Sequence, residues 1–131
     1  MFSHGLNRFP RVVSYLEKGE IDPNAKATCE MQMGASRDGT GIVDSGLLNA
    51  KKAMDRACEL AKEYGVGCVA LGNNNHWMRG GTYGWLAADH GCIGICWSNT
   101  MPNMPAWGGL NRKIGNNPLI MQCLVPMVNM R

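Results

Sequence analysis

Apolar and polar positions follow two rhythms along this chain, and the places where the rhythm changes mark its elements. Leu47, Ala50, Met54, Ala57, Ala61 and Tyr64 recur at helical spacing, while Lys51, Lys52, Asp55, Glu59 and Lys62 fall mostly elsewhere on the wheel. This predicts a helix that Gly65 ends. Val66–Leu71 is then nearly all apolar, as a strand covered on both faces would be. A polar loop, Gly72–His76, leads through Arg79-Gly80-Gly81 into a short helix over Thr82–Asp89, which Gly91 stops. Cys92–Trp97 is a second apolar strand. Earlier in the chain a helix is expected from about Asn7 to Lys18, with Asn7 as its N-cap, Pro10 in its first turn and Gly19 closing it. Ile21–Lys26 reads as a loop, Thr28–Met33 as a strand, and Gly41–Asp44 as a second short strand. Strands that alternate with helices predict an α/β fold.

Composition sharpens this in a few respects. At 131 residues the chain has room for one globular domain, and with 45% apolar and 18% charged residues it is not a disordered sequence. A net charge of +3, with the 13 basic residues scattered, gives no nucleic-acid stripe. No apolar run is long enough to span a bilayer, and Met1-Phe2-Ser3-His4-Gly5 does not resemble a secretion signal. The six cysteines form no Cys-x-x-Cys pair and lie mostly in helical or apolar settings. They are expected to be free, buried thiols in a reducing compartment. The 17 glycines are about twice the usual share, which suits binding loops between elements.

Three stretches can carry chemistry. Ser3-His4-Gly5-Leu6-Asn7-Arg8 puts a side chain that exchanges protons near neutral pH beside an arginine at a helix start, where an anion is favoured. A solvated N-terminal turn explains the same residues. Asn73–Trp85 lies after an apolar strand and before a helix, where open α/β sheets bind ligands. There His76 and Arg79 can hold a carboxylate or hydroxyls, whereas Trp77 and Trp85 suit packing and His90 suits a helix C-terminus. Ser98-Asn99-Thr100, Met104–Gly109 and Asn116-Asn117-Pro118 are turns whose polar side chains can reach the same pocket. A dinucleotide fingerprint is not supported at Gly39-Thr40-Gly41, because Asp44 stands where its third glycine belongs. His4, His76 and His90 lack helical ligand spacing, so no metal site is expected.

Taken together, four segments are more specific than any alone: Ser3-His4-Gly5-x-Asn7-Arg8-Phe9-Pro10-Arg11, Asn75-His76-Trp77-Met78-Arg79-Gly80-Gly81-x-Tyr83-Gly84-Trp85, Gly94-Ile95-Cys96-Trp97, and Ile114-Gly115-x-Asn117-Pro118-Leu119-Ile120. In order and spacing they resemble the malate/L-lactate dehydrogenase-like family of oxidoreductases, over about Phe2 to Met121. The resemblance implies a non-Rossmann α/β fold with a mixed sheet and flanking helices, in a cytoplasmic homodimer without nucleic-acid or membrane partners. It also implies reduction of a 2-keto acid to the 2-hydroxy acid by NADH or NADPH. The Asn-His-Trp-Met-Arg-Gly-Gly version is closest to the branch acting on 2-keto sugar acids of the 2,3-diketo-L-gulonate type. A malate, L-lactate or ureidoglycolate dehydrogenase, or a non-catalytic remnant or binding module, is the alternative. By the same resemblance His4 is the proton donor and Ser3 its hydrogen-bonding neighbour. Arg8 and His76 match substrate-binding positions, and Arg79 and Thr100 are candidates for hydroxyl contacts.

The family's enzymes are longer, and most of their cofactor-binding segments have no counterpart here. After Met121 the family continues with Ala-Val-Pro, whereas this chain reads Gln122-Cys123-Leu124. Loss of one G from the codons of Met-Ala-Val-Pro produces that reading. Residues 1–121 are therefore expected to be a piece of the catalytic region, with 122–131 a divergent, frame-shifted tail.

Overall fold

The structure, a computed structural model, describes residues 6–24, 28–33, 36–40 and 46–124. Ser3, His4, the strand expected over Gly41–Asp44 and residues 125–131 lie outside the described residues. The chain divides into two compact units, Met1–Arg79 and Gly80–Arg131, where the sequence suggested a single domain.

In the first unit a 3-10 turn, Leu6–Arg8, leads into α1, Phe9–Glu17. The helix starts two residues later than predicted, with Arg8 rather than Asn7 as its N-cap and no side chain capping it. Pro10 occupies the first turn, where its missing N–H goes unneeded. Beyond the C-cap Lys18, Gly19 adopts φ +70°, and Glu20 N–H and Ile21 N–H both reach back to the Tyr15 carbonyl, at 2.8 and 3.2 Å. That fold-back buries Ile21.

The sheet of this unit has the order β1-β2-β3, with β1 at Thr28–Met33, β2 at Ser36–Thr40 and β3 at Cys68–Gly72. β1 has the bounds expected of it. β2 was not foreseen, because Ser-Arg-Asp-Gly-Thr has no apolar rhythm. It is nevertheless the central strand, antiparallel to β1 from Met33↔Ser36 to Thr28↔Thr40, and parallel to β3 from Ser36↔Cys68 to Thr40↔Gly72. Parallel neighbours need a long crossover. The helix α2, Gly46–Tyr64, supplies it and packs on β3.

Ala50, Cys58 and Leu60 bury one side of α2, while Lys51–Asp55 and Arg56–Glu59 pair on its surface, each at 2.7 Å. The predicted stripe is only partly the buried one. Leu47 is 45% exposed and Leu48 56%, whereas Asn49 is 1% exposed. Gly65, at φ +83°, ends the helix as expected.

In the second unit, α3, Gly81–Asp89, carries Tyr83 and Ala87 into a small core shared with Cys96 of β4, Gly94–Trp97. His90 is the C-cap of α3, and Gly91 follows at φ +78°. β4 pairs antiparallel with β7, Leu119–Gln122, from Gly94↔Gln122 to Trp97↔Leu119. Gln122, the first residue of the expected tail, is thus in register within the ladder. One face of this pair packs on α3, while Ile95, Trp97, Leu119 and Met121 remain exposed. Two short strands, β5 at Met104–Pro105 and β6 at Arg112–Ile114, form a hairpin between β4 and β7.

The cysteines depart from expectation. All six are free, and Cys58 and Cys96 are buried, but Cys29, Cys68 and Cys123 are exposed. Cys68 begins β3, where only one face of the strand is covered. No helix among the described residues is long and apolar enough to cross a membrane.

Candidate active site

The loop between β3 and α3 carries His76 and Arg79, and its path follows from its own residues. Asn73 leaves β3 at φ 48° and Met78 turns at φ 64°, so the segment is bracketed by two left-handed residues that are not glycine. Asparagine tolerates that region because its short amide can bond locally. At Met78 the compensation is visible: its backbone N–H donates to His76 Nδ1 at 2.8 Å. A ring nitrogen that accepts an N–H carries no proton, so neutral His76 holds its proton on Nε2.

Two neighbours pin the loop in the first unit. The first turn of α2 does so twice. Asn49 Nδ2 donates to Asn74 Oδ1 at 3.1 Å, and Gly46 lies so close that a Cβ there would collide with the Asn75 carbonyl oxygen. Behind α1, Asn75 Nδ2 donates to the Glu20 carbonyl at 3.3 Å. The loop that bears His76 is therefore tied both to the start of α2 and to the exit of α1. Arg8 stands at the other end of α1, half-buried at the N-cap. A nine-residue helix is about 14 Å long, which separates Arg8 from the Glu20 tie.

Thr100, in the second unit, is occupied in a different way. Its hydroxyl donates to Asn116 Oδ1 at 2.9 Å and also lies 3.2 Å from Asn117 Oδ1. Asn117 N–H donates back to that hydroxyl at 3.3 Å, and Asn117 Oδ1 accepts the Thr100 N–H at 2.9 Å. Gly115 fits against this clasp, where any Cβ would strike Thr100. The turn expected at Asn116–Pro118 is thus the partner that Thr100 grips, with Asn117 at φ 35°.

Electrostatics in the second unit centre on Tyr83. Burial pushes its phenol up to about 12, and the neighbouring Cys96 adds to the shift. Burial also raises the Cys96 thiol. Neither is poised to react at neutral pH. Among the described residues there is no cluster of three metal-binding side chains.

Of the predicted site residues, His76 and Arg79 share one loop, Arg8 caps α1 in the same unit, and Thr100 belongs to the other unit. The part played by Asn49 was missed. Its only signal in the sequence is a polar residue inside an apolar helical stripe.

The chain is similar to known oxidoreductases of one family. The family model described as malate/L-lactate dehydrogenase matches residues 1–126. A 2,3-diketo-L-gulonate reductase of Pasteurella multocida is 54% identical over 120 residues, which is 92% of this chain and 36% of that protein. Its counterpart from Mannheimia succiniciproducens is 55% identical over 119 residues, or 91% and 36% of the two chains. The chain thus spans about a third of the length of the curated relatives it matches. Among solved structures, a sulfolactate dehydrogenase from Methanocaldococcus jannaschii superposes with a TM-score of 0.86 at 37% identity, covering 91% of this chain and 35% of that one. A malate dehydrogenase from Entamoeba histolytica gives 0.85 at 36% identity, covering 90% and 33%.

Proposed function

Because the chain belongs to the malate/L-lactate dehydrogenase family, whose α/β fold it shares, we propose that it forms the substrate-side part of an NAD(P)H-dependent reductase acting on a 2-keto sugar acid. The substrate would be of the 2,3-diketo-L-gulonate type, since identity to reductases of that name is well above identity to the malate and sulfolactate dehydrogenases. The observation that carries the reading is the pinned Asn73–Met78 loop at the C-terminal end of β3, presenting His76 and leading to Arg79. Ligands of open α/β sheets bind at this end of a strand.

Reduction of a 2-keto acid adds a hydride to C2 and a proton to its oxygen. In this proposal His4 supplies the proton and Ser3 steadies it. Arg8 neutralises the carboxylate through charge-assisted bonds, with the positive end of α1 behind it. His76 and Arg79 would contact carboxylate and hydroxyl oxygens of the sugar acid. Thr100, in the second unit and held by Asn116 and Asn117, is proposed for a hydroxyl contact on the family resemblance.

Relatives named as dehydrogenases and reductases imply a nicotinamide cofactor. At Gly46 and Gly115, where glycine permits close approach, the space is taken by this chain's own Asn75–His76 backbone and by Thr100. The proposal assigns the proton and anion side of the reaction to this chain. A homodimer and a cytoplasmic setting go with the same reading.

A chimera tests it. Residues 2–121 would replace the matching segment of the Pasteurella multocida reductase, and NADH consumption would be followed with 2,3-diketo-L-gulonate, malate and L-lactate. The proposal requires preference for the diketo acid. His4→Ala should lower turnover by roughly 10²–10⁴-fold while NADH binding persists. A chimera that prefers malate removes the substrate reading, and retained turnover removes His4 from its role.

A further inference from the structure

We infer that Asn49 is a positioning residue for His76, acting through Asn74; the inference rests on the substrate-binding role proposed for the His76 loop. In the first turn of α2 the usual order of burial is inverted. Leu47 and Leu48 are largely exposed, while the carboxamide of Asn49 is 1% exposed. That carboxamide makes a hydrogen bond from Nδ2 to Asn74 Oδ1 at 3.1 Å, but among the described residues Oδ1 has no partner. A buried acceptor without a donor loses its hydration and gains nothing in return. An apolar side chain would suit the site better if packing were all that α2 needed there.

What the amide achieves lies at the other end of its bond. Asn74 sits directly after left-handed Asn73 and two residues before His76. The loop continues through the Asn75–Glu20 bond to His76, whose Nδ1 takes the N–H of left-handed Met78. Left-handed residues other than glycine persist only where their surroundings over-determine them. Asn49 provides a side-chain tie from the helix to this loop, and it does so from a buried position. His76 is exposed, whereas Asn74 is half-buried against α2. Holding the second fixes the first, and with it the ring orientation in which Nδ1 accepts and Nε2 donates.

The test uses the full chain labelled with 15N, in four forms: wild type, Asn49→Leu, Asn74→Ala and the double variant. Hydrogen exchange at the Met78 amide reports the His76–Met78 contact, and the amide of Leu60, a fully buried residue toward the C-terminal end of α2, reports global opening. Each single variant should speed Met78 exchange by roughly 3- to 10-fold, as loss of one such bond implies. Leu60 should be unaffected, and the double variant should exchange no faster than the faster single. The His76 ring nitrogens should lose the distinct signature of an accepting Nδ1. Unchanged Met78 exchange in both singles overturns the inference, as does a double variant in which the effects multiply. Equal acceleration at Leu60 also overturns it, because Asn49 would then merely support the helix. These readouts need no substrate, so they stand even if the proposed reaction fails. In an active chimera, Asn49→Leu should raise KM for the 2-keto acid several-fold with a smaller change in kcat. An unchanged KM there would separate Asn49 from substrate binding.

Discussion

Replacing Gly46 with alanine asks how tightly α2 holds the His76 loop, and the answer has a sign as well as a size. In a helix, glycine to alanine ordinarily stabilises by up to about 1 kcal/mol, less at the first position than in the interior. Here the new Cβ would stand 2.6 Å from the carbonyl carbon of Asn75 and 2.7 Å from that of His76, where ordinary contact begins at 3.4 Å. These are backbone atoms, with no rotamer to swing aside. The loop would have to retreat by roughly 1 Å to restore carbon–carbon contact. Overpacking of this kind costs about 1–3 kcal/mol. The retreat also stretches the Asn49–Asn74 and Asn75–Glu20 bonds, each worth about 1 kcal/mol. After the helical gain is subtracted, Gly46→Ala should destabilise by about 1–4 kcal/mol. Urea unfolding followed by far-ultraviolet circular dichroism measures it, as a lower midpoint at an unchanged slope. A variant as stable as the wild type, or more stable, refutes the close approach of α2 to the loop.

Two further predictions concern the second unit. Tyr83 has a folded-state value raised to about 12, above its ordinary value near 10. The stability it contributes is therefore complete below about pH 10 and lost as pH rises toward 12. Cys96 acts in the same direction from a lower starting point. Unfolding midpoints measured from pH 8 to 12 should fall steeply in the wild type and less in Tyr83→Phe, and parallel curves would refute the burial argument. Thr100→Val removes the hydroxyl that grips Asn116 and Asn117 and should cost about 1–2 kcal/mol. Limited proteolysis reads the loss as faster cleavage within 101–114, and an unchanged cleavage rate would show that the clasp holds nothing.

How far the sequence could be read depended on where each signal resides. α2, α3 and β1 were legible because their determinants are local: apolar spacing, alternation, and a glycine ready to turn left-handed at Gly65 and Gly91. β2 was not, since Ser36–Thr40 is a strand only because β1 and β3 bond to both its edges. The start of α1 shifted because a 3-10 turn occupies Leu6–Arg8, which periodicity cannot separate from a helix. In the site, the loop after β3 could be located, and His76 and Arg79 were placed on it. The clamp beneath it was hidden, because burial of Asn49 is decided by Asn74, 25 residues further on. Likewise Thr100 and Asn117 are 17 apart, and nothing local announces that they meet.

That last pairing has a consequence for change over evolutionary time. The clasp of Thr100 on Asn116 and Asn117 closes the neck of an excursion whose residues from Met101 to Ile114 are all exposed. β4 and β7, on either side of it, are joined by their own ladder. A segment with a closed neck and no share in the core can be lengthened, shortened or swapped with little penalty beyond the slow logarithm of loop closure. Within this chain, packing therefore does not set the length of residues 101–114. Thr100, Gly115 and Asn117 hold that neck shut without help from the residues it encloses.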